Sequence, residues 1–214
     1  MAFKIGKEMK LKVCGMKYIE NIQEVAGIRP DYLGFIFYDK SKRNFEGIIP
    51  ELPKNIKKTG VFVNEYIEIV VSLVEEYQLE AVQLHGDESV AYVQELRIYL
   101  PNIEIIKVFG IKDDFDFALL KPYEKEVDFF LFDTKGKERG GNGVTFNWDV
   151  LAKYNTTKPF FLSGGIGLDE VKAIKNLEKT KLPMYGLDVN SRFETKAGFK
   201  SVEKLKEFKM RLNK

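Results

Sequence analysis

Short runs of apolar and β-branched residues recur along the whole chain, each closed by a turn and followed by a stretch with helical spacing, which is the pattern of parallel βα units. Eight such runs fall at residues 10–14, 32–37, 59–63, 81–84, 103–109, 129–133, 159–162 and 185–189. Several are apolar at consecutive positions, so both faces of those strands should be buried. Between them, residues 64–77 form the clearest helix, with Asn64 placed to cap it and Ile67, Val70, Val71 and Val74 at helical spacing. Residues 88–99, 169–177 and 201–212 read in the same way. Gly47, Pro50 and Pro53 cut the helix after the second run to one turn or none, and the helix around residues 113–120 is short.

Eight units in 214 residues give about 27 residues each, near the roughly 31 of a 250-residue (β/α)8 barrel. The pattern therefore predicts one α/β domain over residues 1–214, a compact (β/α)8 TIM barrel with a shortened second helix, residues 1–9 being an N-terminal extension. A doubly wound open sheet is the competing architecture. It usually opens with a glycine-rich fingerprint, whereas the turn after the first run here reads Cys14-Gly15-Met16-Lys17-Tyr18.

Composition narrows the function. Lys and Arg number 34 against 32 Asp and Glu, a formal net charge of +2, so there is no broad basic field for nucleic acid, while small anionic ligands stay open. No apolar run approaches the roughly 18 to 20 residues of a membrane span, and the start lacks the apolar core of a secretory signal, so neither membrane insertion nor export is expected. Cys14 is the one cysteine. It can form no intramolecular disulfide and no Cys/His zinc set, and it suits a reducing, cytoplasmic location.

In such a barrel the chemistry sits at the C-terminal ends of the strands. Those ends present Cys14, Arg43, Asn64, His85, Asp133, Ser163-Gly164-Gly165 and Asp188. The glycines of Ser163-Gly164-Gly165-Ile166-Gly167 either make a tight βα turn or let backbone N–H groups approach an anion, with Asp188-Val189-Asn190-Ser191 supplying further donors from the next loop. Cys14 is either a small buried hydrophobe or a thiolate base, and the second role needs an electropositive setting, because a free thiol is mostly protonated at pH 7. Strand alternation leaves the distance of Lys12 and Lys17 from its sulfur open. Asp133 either caps the following loop or, at the rim of a dry barrel, keeps a proton and acts as an acid. His85 reads as a hydrogen-bonded wall residue or a cap, and Arg43 as solvated surface or as a bidentate carboxylate clamp. Residues 135–144, with Gly136, Gly140, Gly141 and Gly143, form a candidate lid, although loops of this kind also exist without function.

Taken in order, Lys12-Val13-Cys14-Gly15-Met16, Gly34-Phe35-Ile36-Phe37-Tyr38 with Ser41-Lys42-Arg43, Gly60-Val61-Phe62-Val63-Asn64, Val82-Gln83-Leu84-His85-Gly86, Phe132-Asp133-Thr134, Gly140-Gly141-Asn142-Gly143, Ser163-Gly164-Gly165 and Asp188-Val189-Asn190-Ser191 resemble the phosphoribosylanthranilate isomerase family from the first strand to the last. The resemblance implies a (β/α)8 barrel without metal or organic cofactor. It implies an Amadori rearrangement of N-(5-phosphoribosyl)anthranilate to 1-(2-carboxyphenylamino)-1-deoxyribulose 5-phosphate in tryptophan biosynthesis. Cys14 would then be the general base and Asp133 the general acid. Gly164, Gly165, Asn190 and Ser191 would hold the phosphate through backbone amides, Arg43 would face the anthranilate carboxylate, and His85 and Asp188 would line the pocket. Relatives with this fold are monomers or dimers.

Three positions depart from the family pattern. Arg192 stands where many relatives have glycine and could add a charge to the phosphate site. The segment after Arg43 is short and proline-containing, and the extension before Lys10 carries no motif. Two other readings compete: another phosphate-binding barrel enzyme, which leaves Cys14, Arg43 and Asp133 together unexplained, and a non-catalytic sugar-phosphate binding barrel, against which the intact Cys14 and Asp133 argue.

Overall fold

The computed structural model describes residues 9–134 and 147–214. The candidate lid at residues 135–144, and residues 1–8 of the N-terminal extension, lie outside the described residues. Eight parallel strands, β1 (Lys10–Val13), β2 (Tyr32–Phe37), β3 (Lys57–Phe62), β4 (Ala81–Leu84), β5 (Glu104–Ile111), β6 (Phe129–Thr134), β7 (Phe160–Leu162) and β8 (Met184–Val189), pair in chain order, and β8 closes on β1. This is the predicted barrel and not the open sheet.

Five α-helices cover it among the described residues: α1 (Ile19–Ala26), α2 (Ile67–Tyr77), α3 (Val90–Tyr99), α4 (Val171–Glu178) and α5 (Val202–Leu212). Ser89 and Ser201 cap α3 and α5, each side-chain oxygen accepting from the backbone N–H three residues on. After β5 and β6 the covering element tightens to 3-10 turns at Phe117–Tyr123 and Trp148–Lys153. No helix follows β2, where Pro50 and Pro53 remove donors and fix the backbone. Asn64 does not cap α2. The N-cap is Tyr66, without a side-chain bond, and Asn64 itself lies in the left-handed region at φ 51°. An antiparallel hairpin of β9 (Glu194–Lys196) and β10 (Phe199–Lys200) stands between β8 and α5, where no strand pattern was visible.

Strand alternation divides the apolar residues into two packed layers. Leu33, Phe35, Ile105, Phe130, Phe132, Phe160 and Leu162 join the large cluster shared with the helices. Their neighbours Tyr32, Ile106, Val108, Leu131 and Phe161 form a separate cluster. Drawn from β2, β5, β6 and β7, that second set can only meet inside the barrel, which is a packed core and not a pore. Phe161 is its centre, with edge contacts to Tyr32, Phe129 and Tyr185 at centroid distances of 5.3, 5.4 and 5.2 Å. This plug fills the middle of the barrel, below the candidate residues at the C-terminal rim.

Phe161→Ala should lower unfolding free energy by about 3–5 kcal/mol, because a ring surrounded by three others leaves a cavity that rigid strands cannot collapse. Urea unfolding monitored by circular dichroism reads this directly.

Candidate active site

Parity and register build the first part of the site. Lys12 and Cys14, two residues apart, share the inner face of the barrel wall. Lys12 is the register partner of Asp188 across the β1–β8 seam. Its ammonium lies 2.8 Å from Asp188 Oδ1, and Ser163 Oγ donates to Oδ2 at 3.1 Å, so both carboxylate oxygens are occupied. Lys12 is fully buried and Asp188 nearly so. Burial works against the Lys12 charge, but Asp188 and Cys14 more than offset it and hold its pKa above the ordinary lysine value. Burial pushes the Cys14 thiol above its usual value, with Lys12 and Lys200 pulling it down and Asp188 adding to the rise. The electropositive neighbour that the thiolate role requires is therefore Lys12. Lys17 instead packs across Gly198 at the hairpin turn.

Asp133 is the penultimate residue of β6 and is buried. His85 Nε2 lies 3.5 Å from Asp133 Oδ2, and Gln83 Nε2 lies 3.4 Å from His85 Nδ1. With Gln83 as the donor, the ring proton sits on Nε2 and faces Asp133. The loop carrying His85 is clamped by Glu88, whose Oε1 accepts from the N–H groups of Asn64 and Gly86 at 2.9 Å each. Lys107 compensates that carboxylate at 2.9 Å. Asn64 Oδ1 accepts from Asp87 N, so Asn64 bridges the loops after β3 and β4. This contact explains its left-handed backbone, which asparagine tolerates.

Loops seven and eight lie side by side because β7 pairs β8. Gly164 and Gly165 have φ of 87° and 66°, a pair of conformations that a Cβ would strain. Asn190 turns its side chain away from that loop: its Oδ1 accepts from Lys200 Nζ at 2.5 Å, and its amide abuts Gly15. Ser191 opens a 3-10 turn. Gly167 N–H is taken by Glu170 Oε2 at 2.8 Å, and Arg192 lies 3.7 Å from Oε1 of the same carboxylate. Arg192 therefore faces Glu170.

Arg43 is not a solvated surface residue. Its Nε and one Nη clasp both oxygens of Glu194 at 2.8 and 2.7 Å. Lys200 Nζ reaches Glu194 Oε1 at 2.7 Å, and Gly198 N–H donates to the same oxygen at 2.9 Å. Glu194 and Lys200 meet these candidates without having been singled out in the sequence, whereas Lys12 was named there with its distance from the sulfur left open, and the two-residue period of β1 puts it on the face of Cys14. Nothing local marks the other two, because the hairpin joins the site only in three dimensions.

The family model described as N-(5'phosphoribosyl)anthranilate (PRA) isomerase matches residues 11–211. An N-(5'-phosphoribosyl)anthranilate isomerase from Parabacteroides distasonis is 40% identical over 206 residues, covering 94% of this chain and 91% of the relative. The crystal structure of phosphoribosyl anthranilate isomerase from Thermotoga maritima superposes with TM-score 0.81 at 29% identity, covering 96% of this chain and 98% of that one. A further solved isomerase of that name, in complex with reduced 1-(o-carboxyphenylamino)-1-deoxyribulose 5-phosphate, has TM-score 0.79 at 27% identity with the same coverage.

Three substitutions test the geometry. A Cβ on Gly34 would lie 2.8 Å from Cys14 Sγ and 3.1 Å from Lys12 Nζ, so Gly34→Ala should displace the thiol and lower turnover while leaving a folded barrel by circular dichroism. Lys12→Met leaves the Asp188 carboxylate buried without its cation and should cost about 3–5 kcal/mol of stability. Lys12→Met combined with Asp188→Leu should recover most of that loss in thermal unfolding.

Proposed function

The chain belongs to the N-(5'-phosphoribosyl)anthranilate isomerase family, and from this premise we propose that Cys14 and Asp133 carry the acid–base chemistry of its reaction in tryptophan biosynthesis. The observation that carries the proposal is the placement of both groups on one rim, at the ends of β1 and β6, with β7 and β8 between them. A phosphate held by the amides of Gly164, Gly165, Asn190 and Ser191 is then anchored between acid and base. The ribose crosses the mouth from Asp133 to Cys14, and the anthranilate carboxylate points toward Arg43, beyond β2 on the far side of β1. The reduced product compound bound by a relative supports a phosphorylated, carboxylate-bearing ligand.

The reaction is a sequence of proton transfers. Asp133 protonates the furanose ring oxygen and the C1–O bond breaks as the anthranilate nitrogen forms a double bond to C1, leaving an iminium ion conjugated with the aromatic ring. That cation acidifies the C2 hydrogen, which the Cys14 thiolate removes, and the resulting enolamine tautomerises to the ketone. His85 orients Asp133. Lys12 stabilises the thiolate, and the iminium adds a second positive charge beside it at the moment the base is needed. Asp188 lines the pocket and acts on the thiolate through Lys12. A free thiol in this role suits a reducing compartment such as the cytoplasm.

The assay generates N-(5-phosphoribosyl)anthranilate in place and follows the decay of its fluorescence. Asp133→Asn and Cys14→Ala should each lower kcat at least 100-fold, on the order expected for losing one acid or base, while both retain affinity for the reduced product compound. A barrel that only binds sugar phosphates would show no decay with wild-type protein. For pH dependence, the active form of Cys14 is the thiolate and its pKa is displaced upward. The kcat limb controlled by it should rise with pH and sit above an ordinary cysteine, and Lys12→Met should move it further alkaline.

A further inference from the structure

The β9–β10 hairpin brings two buried charges to the mouth that the acid–base chemistry does not use. Glu194 accepts from Arg43 through both oxygens, and from Lys200 and Gly198 N–H through Oε1. Lys200 is fixed twice more: its backbone N–H donates to Asn21 Oδ1 at 2.6 Å, and its carbonyl accepts from Asn21 Nδ2 at 2.9 Å. Its ammonium also bonds Asn190 in loop eight. A Cβ on Gly15 would lie 2.8 Å from both Arg43 Cδ and Asn190 Oδ1, so Arg43, Asn190 and, through Asn190, Lys200 meet beside the residue that follows Cys14.

One carboxylate here serves two cations. Arg43, Lys200 and Glu194 together carry one positive charge in excess, and Arg43 keeps its remaining Nη outside the Glu194 clasp. We propose that Lys200 and Glu194 are positioning residues for the carboxylate of the substrate: Glu194 fixes the orientation of the Arg43 guanidinium, and Lys200 supplies the surplus charge that lets the Arg43–Glu194 pair still attract an anion. Without Lys200, Arg43 and Glu194 would cancel, and a second carboxylate would meet a neutral pair. The inference rests on the assignment of Arg43 to the anthranilate carboxylate.

The groups around Lys200 make this testable by pH. Burial draws the Lys200 pKa down to about 8, with Glu194 opposing. Glu194 stays ionised because Arg43, Lys200 and Gly198 N–H hold it at about 2 despite burial. Arg43 is held above its ordinary value chiefly by Glu194, and Lys12 above its own by Asp188 and Cys14 in spite of burial. The other neighbours are Lys17 at the hairpin turn and Glu24, which bonds Asn21 Nδ2 on the far side of the Lys200 backbone. Lys200 therefore loses its charge as pH rises through about 8, and anion affinity should fall with it. The one competing titration is Cys14, whose ionisation would also repel an anion.

The experiment removes that competitor by working in Cys14→Ser and measures Kd for reduced 1-(o-carboxyphenylamino)-1-deoxyribulose 5-phosphate at pH 7 and pH 9.5. The Cys14→Ser protein should lose affinity roughly tenfold between these values, on the scale of one neighbouring charge. Adding Lys200→Arg, which keeps its charge, should abolish that loss. Adding Lys200→Gln, which keeps a hydrogen-bond donor but no charge, should give the weak affinity already at pH 7. Adding Glu194→Gln, which leaves Lys200 in place, should weaken binding by freeing Arg43 to rotate. A Kd that is flat with pH, or that rises equally with Lys200→Arg, overturns the role of Lys200. Unchanged affinity in Glu194→Gln overturns the role of Glu194. Arg43→Ala separates the underlying reading: if it binds as tightly as its parent, the carboxylate assignment itself fails, whereas weakened binding with pH-independent affinity in the parent sinks only the hairpin proposal.

Discussion

Closing an eight-stranded sheet forces the last strand against the first, and in this chain that seam carries an ion pair sealed from water. The register sets Lys12 opposite Asp188. Two charges removed from solvent are tolerated only when each finds its partner and the remaining valences are filled, as they are here by Ser163 and Cys14. A one-residue slip of β8 would turn Asp188 to the helix layer and strand Lys12 inside the barrel. The pair thus ties barrel closure to the active site: the geometry that satisfies Lys12 is also the geometry that places a cation against the thiol.

The same rule holds at two further carboxylates of the rim. Glu88 is held by Lys107 and two backbone N–H groups, and in being held it clamps the loop that carries His85. Glu194 is held by Arg43 and Lys200. Each fixes a neighbouring candidate residue, His85 by way of its loop and Arg43 directly, and burial makes the fixing strong because water cannot compete for the hydrogen bonds. The net charge of only +2 is compatible with an anionic substrate for the same reason: what matters is the local excess at the mouth, not the sum over the surface.

The barrel was legible in the sequence because its strands are buried on both faces and read as apolar runs, with proline and glycine marking the turns. The strand bounds agree to within about two residues. The absence of a second helix was legible from Pro50 and Pro53 by the same logic. Asn64 was misread because a polar residue ahead of a helical pattern looks like a cap, and its true partner, Asp87 N–H, lies one unit further along the chain. The β9–β10 hairpin was invisible: its strands are only three and two residues long, too short for any period to show.

Among the site residues, strand-end position and motif singled out Cys14, Asp133, His85, Arg43 and the Gly164–Gly165 turn, since these features are local in the chain. What they touch was not local. The partnership of Lys12 with Asp188 needs the seam between the first and last strands, and the clasp of Arg43 by Glu194 needs the hairpin folded back to the rim. The sequence by itself therefore determined the barrel, its family and the residues offered at its mouth. Only the tertiary structure decided which charges face one another, because ion pairing depends on distances across the barrel, while strand and helix patterns depend on neighbours along the chain.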